Sequence, residues 1–266
     1  MRPVVTGHGL AWLRATDADA RALPPLSDRA TLPLAEVFGP TWQGEGPHTG
    51  VPARFVRLGH CNLSCGADGG TMRCDTPQTW DHDRFNVGAE CPDTTTREIV
   101  ERAAAIPAAI TVLTGGEPLL HHRRPAFAAL LAHLATLGPV HVETNGTIPP
   151  APEHDYVIAH YSVSPKLTNT GDPHRRRIRR GALVDFNDRR SAIFKFVCAN
   201  TADVDEVHDL VTDCGLDPDR VWIMPEGITA DDVLATHRLI ADDVLRLGYR
   251  TTTRLHTLLW GSERGR

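Results

Sequence analysis

Nothing in the 266 residues approaches the roughly 20 consecutive apolar side chains that a helix needs to cross a bilayer, so no membrane-spanning helix is expected. Positive charge is not in excess either. With 28 Lys and Arg against 33 Asp and Glu the formal net charge is −5, which removes any global electrostatic reason to bind nucleic acid. Six cysteines are too few for a disulfide scaffold at this length, and reduced thiols point to the cytoplasm. No internal repeat is evident. Residues 1–31, rich in Ala, Arg, Asp and Pro, lack the apolar segment of a signal peptide and read as an N-terminal extension. The body of the protein is then 32–266. A hydrophobic fraction of 41% supports a substantial core in one large domain or two small ones.

What is present is concentrated. Cys61, Cys65 and Cys74 fall on one short stretch directly after an apolar run, 53–58, that reads as a strand. Three thiolates on one loop can hold three irons of a four-iron cluster, leaving the fourth iron open to a substrate or cofactor. A closed structural zinc site normally shows four ligands in close pairs, although the 14 histidines keep a zinc-stabilised binding module open as an alternative. Eight residues, 66–73, separate Cys65 from Cys74, and glycines at 66, 69 and 70 suit a tight excursion. Cys91 reads as a loop thiol and is the nearest rival for the third ligand, whereas Cys198 and Cys214 read as buried apolar residues.

Beyond the cysteines, helix and strand signals alternate. A capping box at Thr95 and Glu98 opens a helix to about 105, and 125–137 has helical spacing ended by Gly138 and Pro139. Thr201 caps a helix ended by Gly215, and 230–247 is a long helix with Val233, Leu234, His237, Ile240 and Leu245 on one side. Strands are expected at 109–113, 140–143, 156–163, 192–197, 221–224 and 249–255. Cys61, Thr114, Glu143, Ser164, Met224 and His256 all lie at or just after the C-terminal ends of these strands. The pattern predicts an α/β fold with a mainly parallel sheet, whose rim gathers the functional groups. Within 53–58, Arg57 is expected to face inward, where burial is costly without a neutralising partner, and Arg54 to face solvent. The least regular region, 166–190, contains His174 and the arginines up to Arg180. It reads as a solvated loop, a docking patch for an acidic electron donor, or a lid over an anionic substrate.

Several motifs occur in a fixed order: Trp42-Gln43-Gly44-Glu45-Gly46, Arg54 to Arg57, the three cysteines with Asp75 and Thr76, and Thr114-Gly115-Gly116-Glu117-Pro118. Glu143-Thr144-Asn145-Gly146, Ser164-Pro165-Lys166, Lys195-Phe196-Val197, Met224-Pro225-Glu226-Gly227 and His256 follow. Together they resemble the radical S-adenosylmethionine superfamily and, within it, the 7-carboxy-7-deazaguanine synthase family, over residues 34–261. One departure stands out. The superfamily usually places three and then two residues between successive cysteines, and here the second gap is eight, with Arg73 where an aromatic residue is common.

The resemblance implies an incomplete (β/α) TIM-like barrel and a [4Fe–4S] cluster on Cys61, Cys65 and Cys74. It implies S-adenosylmethionine contacts at Arg73, Cys74, Asp75, Gly116, Ser164, Pro165, Lys166, Met224, Pro225, Glu226 and Gly227. Trp42, Gln43, Gly44, Arg57, Thr114 and His256 would meet a pterin substrate, and Thr76 would give a hydroxyl to Mg²⁺. Glu117 would support its turn, while Glu45 and Glu143 would be neighbouring carboxylates without a catalytic role; no side chain is expected to be catalytic. The implied reaction contracts 6-carboxy-5,6,7,8-tetrahydropterin to 7-carboxy-7-deazaguanine with loss of ammonia, a carbon–nitrogen lyase step toward queuosine-type bases or deazapurine metabolites. A flavodoxin or ferredoxin-like electron donor and a homodimer are implied as well. A glycyl-radical activating enzyme is the rival within the superfamily, and the Gln43 motif and Arg57 argue against it.

Overall fold

The computed structural model describes residues 3–5, 10–12, 23–67, 69–261, 263 and 265. Much of the expected N-terminal extension lies outside them, as does Asp68 within the 66–73 insertion. Pro3–Val5 pairs antiparallel with Leu10–Trp12 as a separate two-stranded ribbon. The main sheet has nine strands: β1 Thr31–Trp42, β2 Pro52–Leu58, β3 Asp93–Thr95, β4 Ile110–Gly115, β5 Val140–Thr144, β6 Ile158–Val163, β7 Ala192–Cys198, β8 Val221–Pro225 and β9 Arg250–Thr251. Their order is β9-β8-β7-β6-β5-β4-β2-β1-β3. Every pair from β2 to β9 is parallel; β1 runs antiparallel to both β2 and β3. The helices of six or more residues are α1 Thr96–Ala104, α2 Pro125–Leu137, α3 Arg180–Asn187, α4 Thr201–Cys214, α5 Ala230–Arg246 and α6 Leu255–Trp260. The sheet does not close on itself, so the fold is an unclosed, TIM-like partial barrel.

Alternation along each strand sorts the side chains. Val56, Leu58, Leu113, Val142, Val163, Phe194, Phe196 and Ile223 face outward and share one core with Ile99, Phe127, Leu130, Val204, Val207 and Ile240 on the helices. On the other face, Ala53, Phe55, Ile110 and Val112 make a smaller inner cluster with Phe38. Arg54, expected to be solvated, belongs to the outward set and is only 4% exposed. Its guanidinium donates to the carbonyls of Ala103 (3.0 Å), Ala108 (3.0 Å) and Leu137 (3.3 Å), at the C-terminal ends of α1 and α2 and in the segment after α1. The parity was right; the outward face meets helices instead of water.

Other expectations shift for similar reasons. α4 is capped by Asn200, whose side chain accepts the Asp203 amide, one residue before Thr201. Thr95 does cap α1, but Glu98 turns to Arg102. On α5 the buried residues are Val233, Ile240 and Val244; Leu245 is 75% exposed. The last strand is two residues long, and α6, carrying His256, replaces the expected strand through 255. This helix joins the β9 edge to the segment after β1. The Leu255 amide donates to the Gly44 carbonyl (2.9 Å), the Gly46 amide to Thr252 Oγ1 (2.7 Å), and Trp260 stacks on Trp42 with centroids 5.6 Å apart.

Candidate active site

The rim above the parallel strands carries the cysteines. Cys61 and Cys65 are half-buried, and burial pushes both thiols up to about 12. The Leu63 amide points at Cys61 Sγ and the Thr76 amide at Cys74 Sγ, each at 3.4 Å. Among the described residues, no three His, Cys, Asp or Glu side chains converge on a point where one metal ion would sit. Cys91 does sit on a connecting bend before β3, but not in the open. It is buried, and a Cβ on Gly59 would lie 2.5 Å from its own Cβ.

The 66–73 insertion is docked. The Gly66 amide donates to Thr170 O (2.8 Å), the Met72 amide to Asn169 O (3.0 Å), and the Cys74 amide returns to Cys65 O (3.4 Å). Gly66 and Gly69 have the positive φ expected of them, while Gly70 is needed for contact: a Cβ there would lie 2.3 Å from the Thr170 carbonyl. The 174–180 stretch is no free loop either, being a short helix, His174–Arg177, that runs on toward α3. Arg176 donates to Asn62 O (2.8 Å) and Ser64 Oγ (3.2 Å), and Asp172 accepts the Ser64 amide, so both brace the cysteine loop. Arg177 is buried against Lys166 O, Thr168 Oγ1 and Glu206.

The Gly-Gly turn after β4 fits under this loop. A Cβ on Gly116 would lie 2.3 Å from His60 O, so the space left by the missing side chain is filled by the cysteine strand itself. Glu117 is fully buried and accepts the amides of Leu119 (2.9 Å) and Asn145 (2.6 Å) and the Thr144 hydroxyl (2.9 Å), yet burial still raises its carboxyl to about 7. Asn145 passes the contact on, donating to Asn62 Oδ1 at 2.9 Å. Lys166 Nζ donates to Ser164 Oγ (3.1 Å) and its charge reaches Cys65 and Glu117. Met224, Pro225, Glu226 and Gly227 end β8, and a Cβ on Gly227 would strike the Val233 amide at 2.5 Å.

Inside the barrel the segment after β1 forms a polar floor. Gln43 donates to Glu143 Oε1 (3.1 Å), and Glu45 pairs with buried Lys195 on β7 and lies 3.7 Å from Arg254. Burial opposes the Glu45 charge, but Lys195 and Arg254 outweigh it and hold the carboxyl well below its usual range. Burial likewise opposes the Lys195 charge, and Glu45 and Glu143 restore it. Arg254 also donates to Gly227 O (2.8 Å) and reaches Asp75 (3.4 Å), linking the floor to the rim. His256 lies against Gly44 so closely that a Cβ there would be 2.2 Å from Nδ1; burial lowers the imidazole pKa. Lower down, the rings of His48, His141 and His160 pack with centroids 4.3–5.2 Å apart.

Most of the expected substrate residues converge here. Arg57 faces inward beside Thr114, with Glu36 as its partner at 2.7 Å. Trp42 does not join them: it is 43% exposed and stacks on Trp260, because its neighbour Gln43 takes the inward position. Gly44 contributes by admitting His256. Sequence reasoning missed Arg254, Glu36, Asn62, Asp172 and Arg176, whose partners lie far away along the chain.

No protein-family model matches the chain. It is 39% identical over 234 residues to the 7-carboxy-7-deazaguanine synthase of Pyrobaculum aerophilum, covering 88% of this chain and 96% of that protein. The enzymes of the same name from Hyperthermus butylicus and Halobacterium salinarum are each 35% identical, over 86% and 88% of this chain and 92% of each relative. Among solved structures, QueE from Escherichia coli superposes with a TM-score of 0.61 over 85% of this chain and 95% of that one, at 24% identity, a likeness of fold.

Proposed function

The chain belongs to the 7-carboxy-7-deazaguanine synthase family, and on that footing we propose that it contracts the ring of 6-carboxy-5,6,7,8-tetrahydropterin to 7-carboxy-7-deazaguanine with release of ammonia. The observation that carries this reading is the inward convergence of Gln43, Glu143, Arg57 and Thr114 directly below the cysteine rim. A planar heterocycle with donor and acceptor edges is matched by the Gln43 amide and the Glu143 carboxylate. The substrate carboxylate is matched by Arg57, which exchanges it for Glu36.

Cys61, Cys65 and Cys74 fit a [4Fe–4S] cluster: three free thiols on one braced loop that do not gather around a single ion suit separate irons. With S-adenosylmethionine bound, that group supplies one-electron hydrogen abstraction. Gly116, Ser164, Pro165, Lys166 and the Met224 to Gly227 segment are the residues proposed to surround the cofactor with Cys74, and Arg73 and Asp75, flanking it, would lend backbone groups. Thr76 offers one hydroxyl for Mg²⁺, and Asp75 turns outward at 74% exposure, so water and substrate would supply the other ligands. Residues 1–31 are an appendage to a catalytic domain of 32–266. The remaining parts of the proposal are a homodimer in the cytoplasm and a flavodoxin or ferredoxin-like reductant.

Anaerobic reconstitution with iron and sulfide tests the reading. A brown protein should convert the carboxylated tetrahydropterin to the deazaguanine with one ammonia per turnover. A protein that holds a reducible cluster, binds S-adenosylmethionine and leaves the pterin unchanged would refute it.

A further inference from the structure

The 28 basic side chains include only two lysines, Lys166 and Lys195. Arginine serves everywhere else, on the surface and in buried braces such as Arg54 and Arg177. Both lysines lie in the candidate site. Lys166 stands at the cysteine rim, against Ser164. Lys195 stands on the floor, 7% exposed, on the inward face of β7 and paired with Glu45, with the Glu143 charge close by. A chain that uses arginine for structural cations keeps ammonium at these positions because the two groups differ chemically. A guanidinium holds its proton at any working pH; an ammonium can give one up and recover it.

We propose that Lys195 is a catalytic residue that carries the proton leaving with the amine. The proposal rests on the ring contraction above, in which substrate and product differ by one NH₃. Ammonia departs only if the nitrogen gains a proton as the carbon–nitrogen bond breaks. The nitrogen keeps the bonding electron pair and takes that proton from Lys195 Nζ. The neutral lysine amine then removes the proton from the adjacent carbon as the carbon–carbon double bond of the five-membered ring forms, which restores the ammonium. No oxidant, reductant or further reactant is consumed. Both groups are aliphatic amines, and because, against burial, Glu45 and Glu143 raise the Lys195 pKa above its ordinary value, the neutral amine left after the transfer is a strong base for recovering the proton.

The neighbouring groups are poorer candidates. Arg57 and Arg254 do not release protons. Glu45 is held as a carboxylate between two cations, and His256 is kept neutral by burial. Glu45 therefore orients the ammonium, and its charge remains behind to recover the proton.

Lys195→Arg keeps the charge opposite Glu45 and removes the transferable proton. Calorimetric binding of the pterin and hydrogen abstraction should persist, while ammonia release falls by about 100-fold or more. A ring-contracted isomer of the substrate, still bearing its amine, should accumulate and separate chromatographically. In Lys195→Ala, added methylammonium should restore part of the ammonia release. Wild-type ammonia release by Lys195→Arg would overturn the assignment. So would loss of pterin binding in that variant at an unchanged melting temperature, or a folded Lys195→Ala protein that methylammonium does not rescue. A wild-type enzyme that never contracts the pterin would instead refute the functional reading on which the assignment stands.

Discussion

The floor of the barrel and its cysteine rim are built on opposite plans. On the floor each charged group answers another from within the chain: Glu45 with Lys195 and Arg254, Arg57 with Glu36, Gln43 with Glu143. On the rim the thiols meet amide N–H groups, and burial drives Cys61 and Cys65 away from the thiolate form. The floor is thus paired from within the polypeptide, and the groups proposed to meet a substrate are held in place beforehand. The rim is a scaffold whose thiols, on the proposed reading, would become anions only against positive iron.

The strongest way to break this contrast is to exchange a rim ligand. Cys74→Ala should lose the four-iron cluster and all S-adenosylmethionine cleavage, whereas Cys91→Ala, buried beneath Gly59, should keep both. Iron quantitation and low-temperature spectra of the reduced proteins decide it; a reducible four-iron cluster in Cys74→Ala would remove the insertion's far end from the site. A smaller effect sharpens the other side. Glu45→Gln strands Lys195 in the barrel without its partner and should cost about 3–5 kcal/mol of stability in the metal-free protein. Thermal or denaturant unfolding reads this directly, and if Cys61→Ala destabilises the metal-free chain as much, the two regions are not built differently.

The smallest effect, read over one pH unit, lies beneath the floor. Burial lowers His141 to about 2 and His160 to about 3, below the ordinary 6.5 that the unfolded chain restores. Both rings are neutral in the fold, so their contribution is full above pH 6.5. As the pH falls below that value the unfolded chain binds protons that the fold refuses, and each ring should cost roughly 1.4 kcal/mol per pH unit until its own low pKa is reached. Acid titration of stability for His141→Phe beside the parent chain measures it. An unchanged slope would mean that the ring already carries a proton in the fold.

How legible all this was depends on where each residue's partner lies. Strand alternation, the Pro125 start and Gly138 stop of α2, and the rim position of the motifs are local signals, and they read through directly. Arg57 could be turned inward from parity alone. What covers the opposite face could not, because α1 and α2 meet Arg54 only once the chain has wound back over the sheet. The end of β9 misled for the same reason. Its β-rich composition favours a longer strand, but Thr252 is claimed by Gly46, 206 residues earlier. Arg175 to Arg180 looked like a solvated run because nothing nearby in sequence needs them, while Arg176 and Arg177 answer Asn62 and Glu206.

That same seam sets an order in time. The braces of the cysteine loop, from Asn62 to Asp172 and Arg176, are all present once the chain has been made as far as Arg176. The wall formed by α6 is not, since Arg254, Leu255 and His256 come later still, while their partners, Gly44 and Glu45, precede the cysteine loop. Loop closure over so long a separation is entropically late. A nascent chain therefore braces the cysteine loop before α6 can close against Gly44 and Glu45, so the rim proposed to hold iron is in place before the wall proposed to confine the substrate.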